Sequence, residues 1–311
     1  HRWVWGLVLG SVFWVIGFLN LLNPDVDMRR FGHFSFDPVI RFWAPTSGIL
    51  PMTGRRSHWS EKDALERAAT KSQKARVRNV ILVVVDSLRA DRVERVYPRR
   101  LVPSIDRLTV RFSGRSIQNA FSNGVESKGG ILSILTSKEV PAISHLNYTL
   151  PDFMAAQGAR TWFLLSGDHH WYNFGDAYGR SIDIFKDGTT SPGPHGINDD
   201  ELLVRETESL PRDDGRPHFI FYHLMSVHEL GYHNERFEKY QPIENMVAFE
   251  MSAPKILSRA KIQAVHNAYD NRVLQADHFL ERIFETLERK GYLESFVAVV
   301  TADHGQLLGE N

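Results

Sequence analysis

Three stretches of this 311-residue chain carry side chains suited to metal-assisted ester chemistry. The first is Asp86, which follows the apolar run Val80–Val85. A carboxylate at the carboxyl end of a buried strand is placed either to bind a hard cation or to cap the next helix. The second is Asp303-His304-Gly305, which follows FVAVVTA in the same arrangement. Asp with His is a common mixed ligand set for divalent metals, and the Gly permits a tight turn. One such pair is a weak signal. Two strand-end clusters in one domain are a stronger one, because neighbouring parallel strands bring their ends together. The third is the polar loop Phe121–Gly130, which runs into the apolar segment Ile131–Ser137. A serine there is either an ordinary helix cap or a hydroxyl held at a helix N-terminus, where backbone N–H groups and the helix dipole favour an anion. Beside a metal such a hydroxyl becomes nucleophilic.

The elements needed to position these residues are legible as alternating strand and helix signals. Continuous apolar runs at 80–85, 161–165, 218–224 and 296–301 read as strands buried on both faces of a parallel sheet. Helical segments fall between them: 150–157 after a turn, 199–208 behind paired acids, and a long amphipathic stretch from about 254 to 290 that Gly291 can cap. The pattern predicts an α/β fold, a three-layer sandwich with a mostly parallel central sheet, whose ligands gather at the carboxyl ends of the strands.

Residues 3–22 carry no charge and are long enough to cross a bilayer, so the chain divides into a transmembrane segment (1–23), a juxtamembrane loop and linker helix (24–78) and a catalytic domain (79–311). The catalytic domain is expected to be incomplete at its C-terminus. Lys plus Arg (37) equals Asp plus Glu (37), which argues against a nucleic-acid partner. The absence of cysteine excludes disulfides, thiolate zinc sites and a cysteine nucleophile.

Taken together, NVILVVVDSLRAD, ESKGGILSILTS and VVTADHGQLLGE closely resemble the sulfatase-like branch of the alkaline phosphatase superfamily. Within it, the chain is similar to the membrane-anchored phosphoethanolamine and phosphoglycerol transferases. The resemblance implies a metal-dependent hydrolase or transferase of phosphate or sulfate esters, on a lipid or glycan among others. It implies an anchor in the cytoplasmic membrane and a periplasmic or extracellular catalytic domain. The metal would be a divalent ion (Mn, Mg, Ca or Zn) held by Asp86, Asp303, His304 and the nucleophile. Relatives place a Leu-Thr-Gly-like tripeptide so that its Thr falls nine residues after the nucleophile. Leu135-Thr136-Ser137 occupies that place, which makes Ser127 the nucleophile and Ser122 the fallback. Lys128 would hold the anionic group, and His228, after the strand at 218–224, would protonate the leaving alkoxide. His223 would be packed within that strand, and His233 is a more distant candidate. His169 and His170 with Trp171 could line a substrate groove. Their rings should point apart, so a shared metal is not expected. Asp270, Asp277 and His278 on the long helix should be solvated or packed.

The chain departs from the sulfatase pattern at two positions. The nucleophile window reads Ser127-Lys128-Gly129-Gly130-Ile131, without the Pro and Arg that direct conversion to formylglycine, and Ser87 stands where many sulfatases carry a second acid. The first favours an unmodified serine and phosphate chemistry over the alternative of a true sulfatase with a modified serine. The second favours a further alternative, a catalytically inactive membrane-tethered binding or scaffold relative.

Overall fold

A computed structural model describes residues 78–94, 96–117, 119–143, 148–170, 177–244 and 258–309. The predicted transmembrane segment, the juxtamembrane loop, nearly all of the linker, and Trp171 lie outside the described residues. Among those described, no helix is long and apolar enough to cross a membrane.

Five strands form one all-parallel sheet in the order β3-β2-β4-β1-β5. They are β1 (Asn79–Val85), β2 (Arg160–Leu165), β3 (Ile184–Lys186), β4 (His218–Leu224) and β5 (Phe296–Ala302). The sequence signals four of them. β3 is missing because three residues are too few to show a period. The helices between are α1 (Ala90–Val93), α2 (Pro103–Arg111), α3 (Ser127–Thr136), α4 (Leu150–Ala156), α5 (Glu201–Ser209) and α6 (Arg259–Arg289).

Strand parity divides the core. Ile81, Val83 and Val85 of β1 pack with residues of α5 and α6 on one face, whereas Leu82 and Val84 pack with Ile131, Leu132 and Leu135 of α3 and Met154 of α4 on the other. This is the predicted helix–sheet–helix sandwich. Burial on both faces holds for β1, β2 and β4. It fails for β5, where Val297, Val299 and Val300 remain exposed. β5 pairs only with β1 among the described residues, so it stands at the sheet edge, where the packed helices cover it less completely than the central strands.

The long helix begins and ends on recognisable signals. Ser258 accepts from the Lys261 N–H at its start. Gly291, at φ +91°, lets the chain turn back so that Gly291 N and Tyr292 N reach the Glu288 and Leu287 carbonyls. The paired acids before α5 do less for the helix than the sequence suggests. Asp199 accepts from Glu201 N, but Asp200 turns away to the backbone after β4.

Candidate active site at the carboxyl edge of the sheet

Three strands deliver side chains to one point, and register explains how. Val84 of β1 lies opposite His223 of β4 and Thr301 of β5. Two residues further along, Asp86 and Asp303 emerge on the same face as His223, the face covered by α3. Both acids are buried.

The turn after β1 is drawn tight. Ser87 adopts φ +62°, a left-handed conformation uncommon for a non-glycine residue and found preferentially at functional sites. This lets Ser87 N donate to Asp303 Oδ1 at 3.0 Å while its hydroxyl donates to Asp86 Oδ1 at 2.7 Å. Ser87 therefore orients the acid beside it. Tyr269 of α6 clamps the turn from behind, donating to the Ser87 carbonyl at 2.6 Å and accepting from Arg89 N at 2.8 Å.

Ser127 is the first residue of α3, and its Oγ lies 2.9 Å from Asp86 Oδ2 and 3.3 Å from His304 Nε2. The helix comes this close because Gly130 carries no side chain: a Cβ there would sit 2.2 Å from the Asp303 carbonyl oxygen. The Ser122 hydroxyl is already engaged by the carbonyls of Gly124 and Asp303. Of the two serines, Ser127 is the one aimed at the acids. Lys128 is half-buried, and burial lowers its pKa against the opposing charge of Glu126.

His304 Nδ1 faces the Gly305 carbonyl at 2.7 Å and must donate to it. That leaves the Nε2 lone pair toward the cluster, 3.6 Å from Asp86 Oδ1 and 3.6 Å from Asp303 Oδ2. His228 Nδ1 accepts from Leu230 N at 3.0 Å, so its remaining proton sits on Nε2. Burial lowers the His228 pKa, and the Asp86 charge opposes that shift.

His223, expected to be simply packed, is buried but lies at the centre of the site. Its Nε2 is 3.4 Å from Asp86 Oδ2 and 3.9 Å from Asp303 Oδ2. Burial lowers its pKa, but the two flanking carboxylates outweigh that and push it up to about 10. Burial also favours protonated Asp86, yet His223, with His228 and His304, holds its pKa well below the ordinary carboxylate value. The missed signal was parity, which puts His223 on the face of Asp86 once the strand ends are aligned. Behind it, His169 Nε2 meets His223 Nδ1 at 3.1 Å and its Nδ1 meets the Tyr178 hydroxyl. Burial and the neighbouring His223 push His169 down to about 3. His170 turns the other way, to Asp187, so the two adjacent rings do point apart. His233 lies by Glu238, outside the cluster.

The donor set suits a divalent cation. One ligand atom each from Asp86, Asp303 and His304 falls within 4.8 Å of the others. Two buried atoms, Asp303 Oδ2 and His223 Nε2, have no hydrogen-bond partner. Buried polar atoms without partners are costly, and a cation among them would satisfy the acid. Asp168, His170 and Asp187 form a second cluster of similar spacing but different character. There the Asp187 oxygens are already taken by the Thr189, Thr190 and His169 amides and by His170.

The chain is 27% identical over 113 residues to the phosphatidylethanolamine transferase Mcr-1 of Escherichia coli, a stretch that is 35% of this chain and 19% of that protein. Its fold is similar to the zinc-complexed C-terminal periplasmic domain of EcEptC from Escherichia coli. The TM-score is 0.53 at 18% identity, covering 76% of this chain and 66% of that one. It is also similar to the integral membrane lipooligosaccharide phosphoethanolamine transferase A (EptA) of Neisseria meningitidis, with a TM-score of 0.59 at 16% identity over 99% of this chain and 58% of that one. The chain thus spans less than two thirds of the length of these relatives. The family model described as Sulfatase matches residues 78–311, which include every strand of the sheet and every residue of the acid–histidine cluster, and the chain belongs to the sulfatase family.

Proposed function

We propose that this protein is a metal-dependent phosphoryl-transfer enzyme in which Ser127 is the nucleophile. The observation that carries this reading is the Ser127 hydroxyl, held at a helix N-terminus between Asp86 Oδ2 and His304 Nε2. Asp86, Asp303, His304 and Ser127 would hold the cation. When bound, the cation lowers the pKa of the hydroxyl and neutralises charge on the phosphoryl oxygens.

The chain's own groups supply the rest. Ser127 Oγ forms a bond to phosphorus as the bond to the leaving oxygen breaks, giving a phosphoserine. The Ser127 proton has an acceptor within reach in Asp86 Oδ2, whose carboxylate keeps a second oxygen for the cation; the one Nε2 lone pair of His304 would be given to the cation. The α3 dipole and first-turn N–H groups stabilise the anionic group on Ser127. Lys128 beside it adds positive charge. His228, whose proton is on Nε2, donates a hydrogen bond to the leaving oxygen, which takes its proton from solvent. The acceptor hydroxyl or water that resolves the phosphoserine enters at the same Nε2–H.

The relatives are named as transferases of phosphoethanolamine or of phosphatidylethanolamine, which supports a phosphate ester on a lipid as the substrate class. Residues 3–22 would anchor the chain in the cytoplasmic membrane with the catalytic domain outside it. The absence of the Pro and Arg of the formylglycine signal after Ser127 supports phosphate over sulfate.

Intact mass of the full-length chain, incubated with Mn²⁺ and a panel of phosphodiesters, tests this. A single phosphoryl-containing adduct, absent in Ser127→Ala, is expected. A mass loss matching formylglycine at residue 127 would point to sulfatase chemistry instead. The lack of any adduct or turnover would point to a scaffold.

A further inference from the structure

The long helix α6 turns four polar side chains toward the segment after β4, and they bind mainly its backbone. Asn267 Nδ2 donates to the Pro242 carbonyl at 2.8 Å. Asn271 donates to the Tyr240 carbonyl and accepts from the Tyr240 N–H, both at 2.9 Å. Gln275 accepts from Asn234 N at 2.8 Å and donates to the Tyr232 carbonyl at 2.7 Å and Ser226 Oγ at 3.1 Å. Arg272 Nη1 donates to the carbonyls of His228 and Gly231, each at 2.9 Å, and lies 3.5 Å from that of Ser226. From the opposite side the Asp200 carboxylate takes the N–H groups of Met225 and Ser226, both at 2.8 Å. Gly231 lies so close to the start of the loop that a Cβ there would stand 1.9 Å from the Met225 carbonyl oxygen.

Arg272 is the unusual member of this set. It is half-buried, and among the described residues no carboxylate lies within ion-pair distance of it, although the Glu229 charge is near enough to act on it. Its cost of burial is met by carbonyl oxygens at the mouth of one loop. That loop carries His228, whose ring is already fixed at Nδ1 by Leu230 N. The loop leaves the carboxyl end of β4, the strand that delivers His223 to the cluster, and the charges of Asp86, Asp303, His223 and His304 act on the His228 ring.

We propose that Arg272 is a positioning residue for His228, clamping the 226–231 backbone so that the imidazole is held at the acid–histidine cluster. The proposal rests on the reading of His228 as the hydrogen-bond donor to the leaving oxygen. Displacement of such a donor by about 1 Å costs on the order of 100-fold in rate. The Asn267, Asn271 and Gln275 contacts fix the outer part of the loop, and Arg272 fixes the part that bears His228.

The test compares Arg272→Met, which keeps the stem and removes the donors, with Arg272→Lys, which keeps a donor, in the full chain with Mn²⁺ and a phosphodiester. For Arg272→Met, kcat is expected to fall about 10- to 100-fold with KM within about threefold, with partial recovery in Arg272→Lys. In a His228→Ala background the same change should cost nothing further, because its effect runs through His228. Amide exchange at Leu230, whose N–H holds the ring, should be about tenfold faster in Arg272→Met. An equal loss in both backgrounds, or unchanged exchange at Leu230, would overturn the proposal. If the wild-type chain turns over no phosphodiester, the proposed function fails. The Leu230 exchange rate then still decides whether the clamp exists.

Discussion

A methyl group added at Gly130 would stand 2.2 Å from the Asp303 carbonyl oxygen, and backbone cannot yield there as a flexible side chain would. Gly130→Ala must therefore either lift the first turn of α3 off the end of β5 or push Asp303 aside. The first moves Ser127 away from Asp86, and the second moves Asp303 out of the cluster. We expect turnover to fall at least about 100-fold and stability to drop by about 1–3 kcal/mol, the usual cost of overpacking. Denaturant unfolding and kcat/KM read the two effects separately. Gly129 is the contrasting neighbour. There a Cβ would first meet a Val140 methyl at 3.2 Å, a side-chain contact that can give, so Gly129→Ala should be much milder. His223→Phe tests a different point, since it keeps a buried ring but removes the nitrogen 3.4 Å from Asp86. Cation affinity measured by titration calorimetry should fall about 10- to 100-fold, the range seen when a group supporting metal ligands is lost. Residue types pointed to Asp86, Asp303 and His304 in the sequence because each follows a strand, whereas Ser127 was singled out over Ser122 by the family register of Leu135-Thr136-Ser137. His223 was hidden because a histidine inside an apolar strand looks the same whether it faces the core or a site.

Each element fixes the site through contacts that reach far along the chain. Asp277 of α6 accepts from Ser104 N at 2.8 Å and Ile105 N at 2.9 Å, so it caps α2 from another helix. The sequence left Asp277 as solvated or packed; it is packed, and its task could not be seen there because the cap lies more than 170 residues from the helix it serves. Asp277→Ala is expected to cost about 1–2 kcal/mol, as loss of a helix cap does. A thermal melt should register that as a drop of several degrees. The α5–α6 contact is tied by Arg282 to Glu201, a bidentate pair at 2.6 Å on each arm. The hydrogen bond from Arg282 lowers the Glu201 pKa, against the opposing effect of partial burial. A carboxylate whose folded pKa is lowered contributes stability above its unfolded pKa and loses that contribution as pH falls through the folded one. The pair is about a third exposed, so its worth is at most about 1 kcal/mol. The stability difference between wild type and Glu201→Gln should therefore be small near pH 7 and vanish in acid. A difference that grew as pH fell would contradict the assignment. Strands and long helices were legible because their periods extend over many residues. The three residues of β3 and the four of α1 were not, since their conformation comes from pairing and packing rather than from local pattern.

At the scale of the whole molecule, the sheet gathers negative charge into its interior. Asp86 and Asp303 are 2% and 1% exposed, and one oxygen of Asp303 has no hydrogen-bond partner. His223, with its pKa pushed up to about 10, sets one positive charge against these two carboxylates, so the buried charges are not balanced and a cation binding there should stabilise the native state and not the unfolded one. At a free Mn²⁺ or Zn²⁺ concentration about 100 times Kd, the gain is about 2.7 kcal/mol. For domains of about 150–250 residues that corresponds to a rise in Tm of roughly 5–10 °C. The rise should be reversed by a chelator and lost in Asp303→Asn, which leaves the shape of the site and removes a ligand charge. Asp168→Asn supplies the control, because Asp168 belongs to another acid–histidine cluster, where Asp187 already spends both oxygens within the protein. If Asp168→Asn abolishes the rise and Asp303→Asn preserves it, the cation belongs at the second cluster and the strand-end reading fails. If both variants keep it, neither cluster is the site. The strand-end assignment requires the rise to depend on Asp303 alone of the two, because only there does the sheet converge on a buried acid with an oxygen left unbonded.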